Sequence, residues 1–236
     1  MPVTDGRGLN RFIAVPYDQF RGDPLWVPQL RMDVRTLVTR SKNPFFQHAE
    51  AQYFVAHAGG RVVGRIAAIK NDAHNREHGD RVGFYGFFEC RDDQATANAL
   101  FDAASRWLRA RGLYTMRGPM SPSVNDECGL LVDGFDTPPA LMMPHNPPYY
   151  VGLTERAGFR KAKDLIAYQS TGSEMPERLV RGAKLIAARQ GITLRPLNMK
   201  RFTEEVETVK QLYNRAWEKN WGFVPMTEAE IDHLAK

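Results

Sequence analysis

VGFYGFFECRDDQATANALFDAASRWLRARGL, residues 82–113, is the stretch that decides the fold. Its first nine residues, Val82 to Cys90, are apolar and aromatic with almost no polar interruption, the composition of a strand buried on both faces. Gly83 and Gly86 inside it mark a bulge or a close approach of another backbone. Then the period changes. Ala97, Leu100, Phe101, Ala104, Trp107 and Leu108 recur at the spacing of one helical face, Asp93 stands where an N-cap belongs, and Gly112 follows the end. Leu113 to Arg117 reads as the next strand. A central strand, a long amphipathic helix and a returning strand together indicate an α+β domain.

Working outward, Ala51–His57 and Val62–Lys70 are strand-like runs joined across Gly59-Gly60, a two-residue hairpin signal. Leu9 to Val15 reads as a short first strand, and the proline-punctuated stretch from Pro16 to Val38 as short helices. Asn71 to Arg81 reads as a polar loop. Residues 118–148 hold seven of the fifteen prolines and read as a long ordered loop, which inside a domain points to function. Tyr149 to Ala157 reads as a short helix ended by Gly158-Phe159, and Lys163 to Gln169 as a closing strand. Beyond a polar linker come a helix from Pro176 to Gln190, a strand from Ile192 to Leu197, a helix from Thr203 to Trp217, and a further helix opened by the Thr227-x-x-Glu230 capping box.

Composition is globular, with 43% hydrophobic and 25% charged residues. The net charge is +5 and the pI about 9.3, with basic and acidic residues interspersed. No basic block interleaved with aromatics argues for nucleic acid. No run approaches the length of a membrane span, and the N-terminus has no signal-peptide pattern. Two cysteines, Cys90 and Cys128, make no disulfide framework. These features predict a cytoplasmic protein, without nucleic acid or membrane. His74-x-x-Glu77-His78 matches a zinc-binding pattern, but it falls in the polar stretch between two strands, so no metal is expected.

The order strand, short helices, hairpin, central strand, long helix, strand, short helix ending in Gly-Phe, strand resembles the GNAT superfamily of N-acyltransferases. Asn98-Ala99-Leu100 through Arg111-Gly112 looks like the helix after that family's cofactor loop. More narrowly, NPFFQHAE, VVGRIAAI, GFFECRDD, RGPMSPS and MMPHNPPYY resemble a bacterial group of tandem GNAT-like proteins of unassigned substrate. The resemblance implies a mixed, mostly antiparallel sheet flanked by helices over residues 1–172, a linker helix over 173–191, and over 192–236 the incomplete start of a second GNAT-like repeat. Arg201-Phe202 followed by Phe223-Val224-Pro225 echoes Arg11-Phe12 followed by Trp26-Val27-Pro28. The alternative is that 192–236 packs on the first domain. Its apolar Val209, Leu212, Trp217 and Trp221 need cover, which a homodimer could also provide.

What the resemblance implies for chemistry is an acyl-CoA-dependent N-acyltransferase with acetyl-CoA or another acyl-CoA as cosubstrate and a small amine or amino-acid-like acceptor. The pantetheine arm would pair with strand backbone at Phe87 and Phe88, and the pyrophosphate would lie on the helix N-terminus at Gln94, Ala95, Thr96 and Ala97. Asp92 and Asp93 stand where that family carries residues friendly to phosphate, and a carboxylate there competes for the same N–H groups. Glu89 would be the base that takes the amine proton, its pKa raised by apolar neighbours. The alternative for it is a structural pair with Arg65 or Arg117. The family's tyrosine acid falls on Thr154 here, leaving Tyr150 or Tyr149, one turn earlier, for that role. Asn125, Glu127, His145, Asn146 and Tyr149 are the candidate substrate contacts from the proline-rich loop and the helix it feeds. A degenerate, non-catalytic GNAT-like domain that binds a ligand or partner is the competing reading, motivated by Asp92, Asp93 and Thr154.

Overall fold

The computed structural model describes residues 1–169, 175–193 and 195–235. Two compact units emerge, one formed by Met1–Arg160 with Tyr213–Lys236 and one by Lys161–Leu212.

The first unit is built on an open, mostly antiparallel four-stranded sheet. Strands β1 (Ala49–Ala58) and β2 (Arg61–Asn71) form a hairpin whose Gly59 and Gly60 have φ of 55° and 75°, conformations that glycine adopts without steric cost. Strand β3 (Val82–Cys90) pairs antiparallel with β2, and β4 (Thr115–Arg117) pairs parallel with β3 only from Val82 to Phe84. Helices cover both faces. On one, α4 (Gln94–Arg109) packs Ala97, Leu100, Phe101, Ala104 and Leu108 against Ile66, Tyr85 and Phe88. On the other, α1 (Gly6–Gln19) and α2 (Arg31–Val38) pack Phe12, Ile13, Val34 and Val38 against Ala67, Ile69 and Phe84. Asp93 caps α4 by accepting from the Ala95 and Thr96 amides.

Several expectations are corrected. Leu9–Val15 is not a strand but the middle of α1, because Leu9, Phe12, Ile13 and Pro16 share a helical face and Asp5 caps the start by accepting from Gly8 N. The polar stretch after β2 contains a helix, α3 (Asp72–His78), capped by Asn71, which accepts from the His74 amide, and ended by Gly79 at φ 62°. Residues 163–169 form no strand, and neither do the described residues 192–193 and 195–197. The proline-rich stretch, expected to hold no regular structure, contains two short paired strands, β5 (Met120–Ser121) and β6 (Glu127–Cys128). It feeds α5 (Tyr149–Arg156).

In the second unit, α6 (Glu177–Gln190) ends at Gly191. Helix α7 (Phe202–Trp217) runs across the division between the units. Residues after it return to the first unit: Phe223 and Val224 are buried, His78 Nε2 lies 2.9 Å from the Phe223 carbonyl, and Asn125 donates to the Val224 carbonyl. The predicted capping box of α8 (Glu228–Leu234) is present, with Thr227 and Glu230 bonding reciprocally. Among the described residues, no helix is long and apolar enough to cross a membrane.

Candidate active site

One inserted residue sets the site. Arg65 pairs with Glu89 and Ala67 pairs with Gly86, so β3 spends three residues where β2 spends two. The extra residue is a bulge, and Phe87 within it takes φ 49°. Side chains alternate along a strand, so one insertion moves everything beyond it to the opposite face. Before the bulge, Tyr85 faces α4 while Val82 and Phe84 face α1. After it, Phe88 and Cys90 face α4, which turns Glu89 toward the α1 side and onto Arg65. The glycines signalled this in advance. A Cβ on Gly86 would lie 1.6 Å from the Met120 carbonyl oxygen, so only glycine lets the proline-rich loop cross here. Ser121 Oγ accepts from the freed Phe87 amide at 2.9 Å.

Both oxygens of Glu89 are engaged. Arg65 Nη2 donates to Oε1 at 3.3 Å and the Tyr150 hydroxyl donates to Oε2 at 2.8 Å. Burial pushes the Glu89 carboxyl up, and Arg65 and Tyr150 oppose that rise without cancelling it. Burial likewise lowers the Arg65 pKa. Its Nη1 donates to the Phe12 carbonyl at 3.2 Å, its guanidinium lies over the Phe12 and Phe87 rings, and its buried Nε has no partner among the described residues. The Phe12 carbonyl is available because Pro16, four residues on in α1, has no N–H to offer it.

Glu127 is the second carboxylate. Burial, then the charge of Glu89, raises its pKa to about 7, with Arg65 opposing. Its only hydrogen bond among the described residues comes from Gln29 Nε2, at 3.1 Å. It is therefore the less encumbered of the two acids. Two carboxylates beside one arginine, with one acid held on both oxygens and the other titrating near neutrality, is an arrangement suited to taking up a proton.

The tyrosines of α5 bind the end of β3. Tyr150 is 1% exposed and its hydroxyl also accepts from the Cys90 amide at 2.9 Å. Burial, then Glu89, raises its pKa far above the usual phenol range, so the proton stays on Tyr150 and the residue positions Glu89. The Tyr149 hydroxyl donates to the Cys90 carbonyl at 2.9 Å and accepts from Gln19 Nε2 at 2.6 Å. Burial pushes the Cys90 thiol up to about 12, unsuited to a nucleophile. His145 stands 2.9 Å from Asp23 and edge-on to Phe20.

The fold thus gathers Glu89, Glu127, Tyr149 and Tyr150 around the end of β3, while His145 is held by Asp23. Other predicted residues fall elsewhere. Asn125 holds residues 213–224 through Tyr213 and Val224. Asn146 is buried and pins Leu131 from both sides. Phe88 is stacked on Phe101 in the core, and Ala97 is fully buried. Gln94 links α4 to α5 through the Leu153 carbonyl and Arg156. The Ala95 and Thr96 amides are taken by Asp93. The zinc-like pattern lies on α3, with His74 buried against Phe84, and no group of three metal-ligating side chains occurs among the described residues. Gln19 and Gln29 were not anticipated. Both are polar residues at the edge of the helix and loop that carry Tyr17, Phe20 and Trp26, a weak signal.

No protein-family model matches the chain, and no solved structure matches it. Two curated proteins are similar to it. It is 45% identical over 239 residues to "Bacterial ceramide synthase" of Caulobacter vibrioides (strain NA1000 / CB15N), a match covering 100% of this chain and 62% of that protein. It is 37% identical over 223 residues to "Protein YghO" of Escherichia coli (strain K12), covering 94% of this chain and 57% of that protein. The chain spans about three fifths of the length of the curated relatives it matches.

Proposed function

We propose, taking the likeness to a bacterial ceramide synthase as premise, that this chain carries the catalytic carboxylates of a GNAT-like N-acyltransferase that moves a fatty acyl group from a thioester, such as acyl-CoA, to the amine of a long-chain amino alcohol. A ceramide is the amide of such an amine, which favours an acceptor larger than the small amine expected from sequence. The observation that carries the reading is the Glu127–Arg65–Glu89–Tyr150 array at the bulged end of β3. The partial pairing of β4 with β3, which leaves the strand beyond Phe84 without its β4 neighbour, supports the GNAT-like reading.

In this mechanism the amine attacks the thioester carbonyl, the C–N bond forms, and the C–S bond breaks. Glu127 takes the proton the amine loses and passes it to the released thiolate, which leaves as the thiol and restores the carboxylate. Glu89 is held by Arg65 and Tyr150, and its charge adds to burial in keeping the pKa of Glu127 near neutrality. Tyr150 is a positioning residue. Direct attack needs no covalent enzyme intermediate, so placement and proton removal suffice.

The test is amide formation from a long-chain acyl-CoA and a long-chain amino alcohol, with Glu127→Gln beside the parent. Loss of about 10²-fold or more in kcat supports the reading; parent and variant turning over alike would sink the role of Glu127. One observation favours the non-catalytic alternative: Asp93 already fills the α4 amides that would receive a pyrophosphate. That alternative requires that neither protein form product.

A further inference from the structure

A second feature on the α1 side takes no part in the carboxylate array. A cavity of about 420 Å³ is lined by Arg11, Arg21, Arg61 and Arg91 around a single acid, Asp18. Arg11 and Arg21 come from α1 and the residues after it, Arg61 opens β2, and Arg91 follows β3 directly. Asp18 is spent on Arg21 at 2.6 Å. Arg11, Arg61 and Arg91 have no carboxylate partner among the described residues. Like charges gathered around one hollow repel each other, so the arrangement asks for an anion. Guanidinium groups bind phosphate oxygens in pairs, which makes phosphate the matching chemistry.

The cavity also stands where a phosphorylated donor needs it. A helix N-terminus is the usual cradle for phosphate, but at α4 the Asp93 carboxylate occupies the Ala95 and Thr96 amides. Arg91 lies just before that closed cradle. On β2, Arg61 precedes Arg65 by four residues, a strand rise of about 13 Å. Along α1 the cavity residues Val15 and Asp18 lie beside Pro16 and Gln19, and the latter reaches Tyr149 and the Cys90 carbonyl.

We infer that this four-arginine cavity holds the phosphate groups of a phosphopantetheine thioester, the arm running from there toward Arg65 and Glu127. The inference rests on the acyl-transfer reading for the identity of the ligand. It replaces the α4 N-terminus expected from sequence with a side-chain site.

The experiment is calorimetric binding of CoA, of pantetheine without phosphate, and of a carrier protein bearing phosphopantetheine, to the parent and to an Arg61→Gln, Arg91→Gln variant. The arginines are exposed, so an unchanged Tm is expected and checks the fold. CoA affinity is expected to fall about ten-fold or more in the variant, with pantetheine weak throughout. The same loss for the carrier protein, with CoA silent, supports the site and identifies a carrier-borne donor. Equal affinity in parent and variant, or no binding of either phosphorylated donor to the parent, overturns the proposal. Arginine-dependent binding without amide formation would count against acyl transfer alone. Amide formation at an unchanged acyl-CoA KM in the variant would count against the cavity alone.

Discussion

Arg65 Nη1 donates to the carbonyl oxygen of Phe12 at 3.2 Å, one helical turn before Pro16. The proline sits inside α1 and frees a backbone acceptor for the buried guanidinium, which also donates to Glu89. Pro16→Ala restores an N–H aimed at that carbonyl. Proline in a helix interior costs about 3 kcal/mol, so Tm is expected to hold or rise. Arg65 then shares its acceptor, and the placement of Glu89 loosens. A fall in turnover of about ten-fold with no loss of stability is expected, read from kcat beside thermal unfolding. Unchanged turnover would show that the Phe12 contact does not position Arg65.

Gly86→Ala tests the bulge. The added Cβ meets the Met120 carbonyl oxygen at 1.6 Å and its carbon at 2.6 Å, both backbone atoms. Neither can rotate away, so the loop must leave β3 and Ser121 must release the Phe87 amide. The expected cost is about 3 kcal/mol or more in denaturant unfolding. A change within about 0.5 kcal/mol would mean that the loop crosses more loosely than these distances state.

The framework was legible because it rests on local signals: the Gly59-Gly60 turn, the helical period from Ala97 to Leu108, the Asp93 cap, the Thr227 capping box. Gly86 even announced its close approach. The face that Glu89 would occupy was not legible, since one extra residue inverts the alternation and no local rule says whether the insertion falls before or after it. Leu9 to Val15 misled because seven residues, five of them apolar, are too few to separate the helical period from the strand period. Residues 163–169 carry strand-like composition, but composition alone supplies no partner strand. Arg65 and Glu127 are far apart in sequence, and only the crossing of the proline-rich loop over β3 brings their charges together.

Tyr150→Phe should cost stability with little change of shape. The ring still fills its place against Phe88, but Glu89 Oε2 and the Cys90 amide both lose their partner. Leaving buried polar groups unpaired costs about 1–3 kcal/mol each. Turnover is expected to fall as well, because Glu89 is then held by Arg65 alone. Full stability in the variant would mean that water replaces the hydroxyl.

The pH dependence of turnover should follow Glu127. Its pKa, near 7, means that it is mostly protonated below that value and able to accept a proton above it. Turnover is therefore expected to rise through pH 7. The ionisation of the substrate amine adds its own slope, but that slope is shared by Glu127→Gln, so the difference between the two profiles isolates the carboxylate. Stability runs the other way. The folded state keeps a proton that the unfolded chain, with an ordinary carboxyl, releases above about 4.5, so stability falls as pH rises from there to 7. Glu127→Gln removes that loss, and its Tm advantage over the parent should appear at pH 8 and vanish at pH 4. A profile in the variant with the same rise near pH 7 would remove Glu127 from the proton path.

The docking of α8 should have its own pH window. His48 Nε2 and Glu230 Oε1 lie 3.1 Å apart with side chains 11% and 12% exposed. The Glu230 hydrogen bond, against burial, raises the His48 pKa. Burial pushes Glu230 up, but His48 and the Thr227 groups outweigh it and leave its pKa lowered. The histidine contribution is complete below about 6.5 and is lost as pH rises through its raised folded value. The glutamate contribution is complete above about 4.5 and is lost as pH falls through its lowered one. The pair therefore holds α8 most firmly between about 4.5 and 6.5. Asp126, pushed up to about 6 by burial and in part by Glu230, also loses stability as pH rises toward that value, with the same sign as His48, so the parent alone cannot separate them. Glu230→Gln can. Hydrogen exchange of the 228–234 amides, corrected for intrinsic rates, should show protection at pH 5.5 that is partly lost at pH 8.5 in the parent. The variant should be uniformly less protected and flat, and a variant retaining the parent's pH dependence would assign it to Asp126 instead.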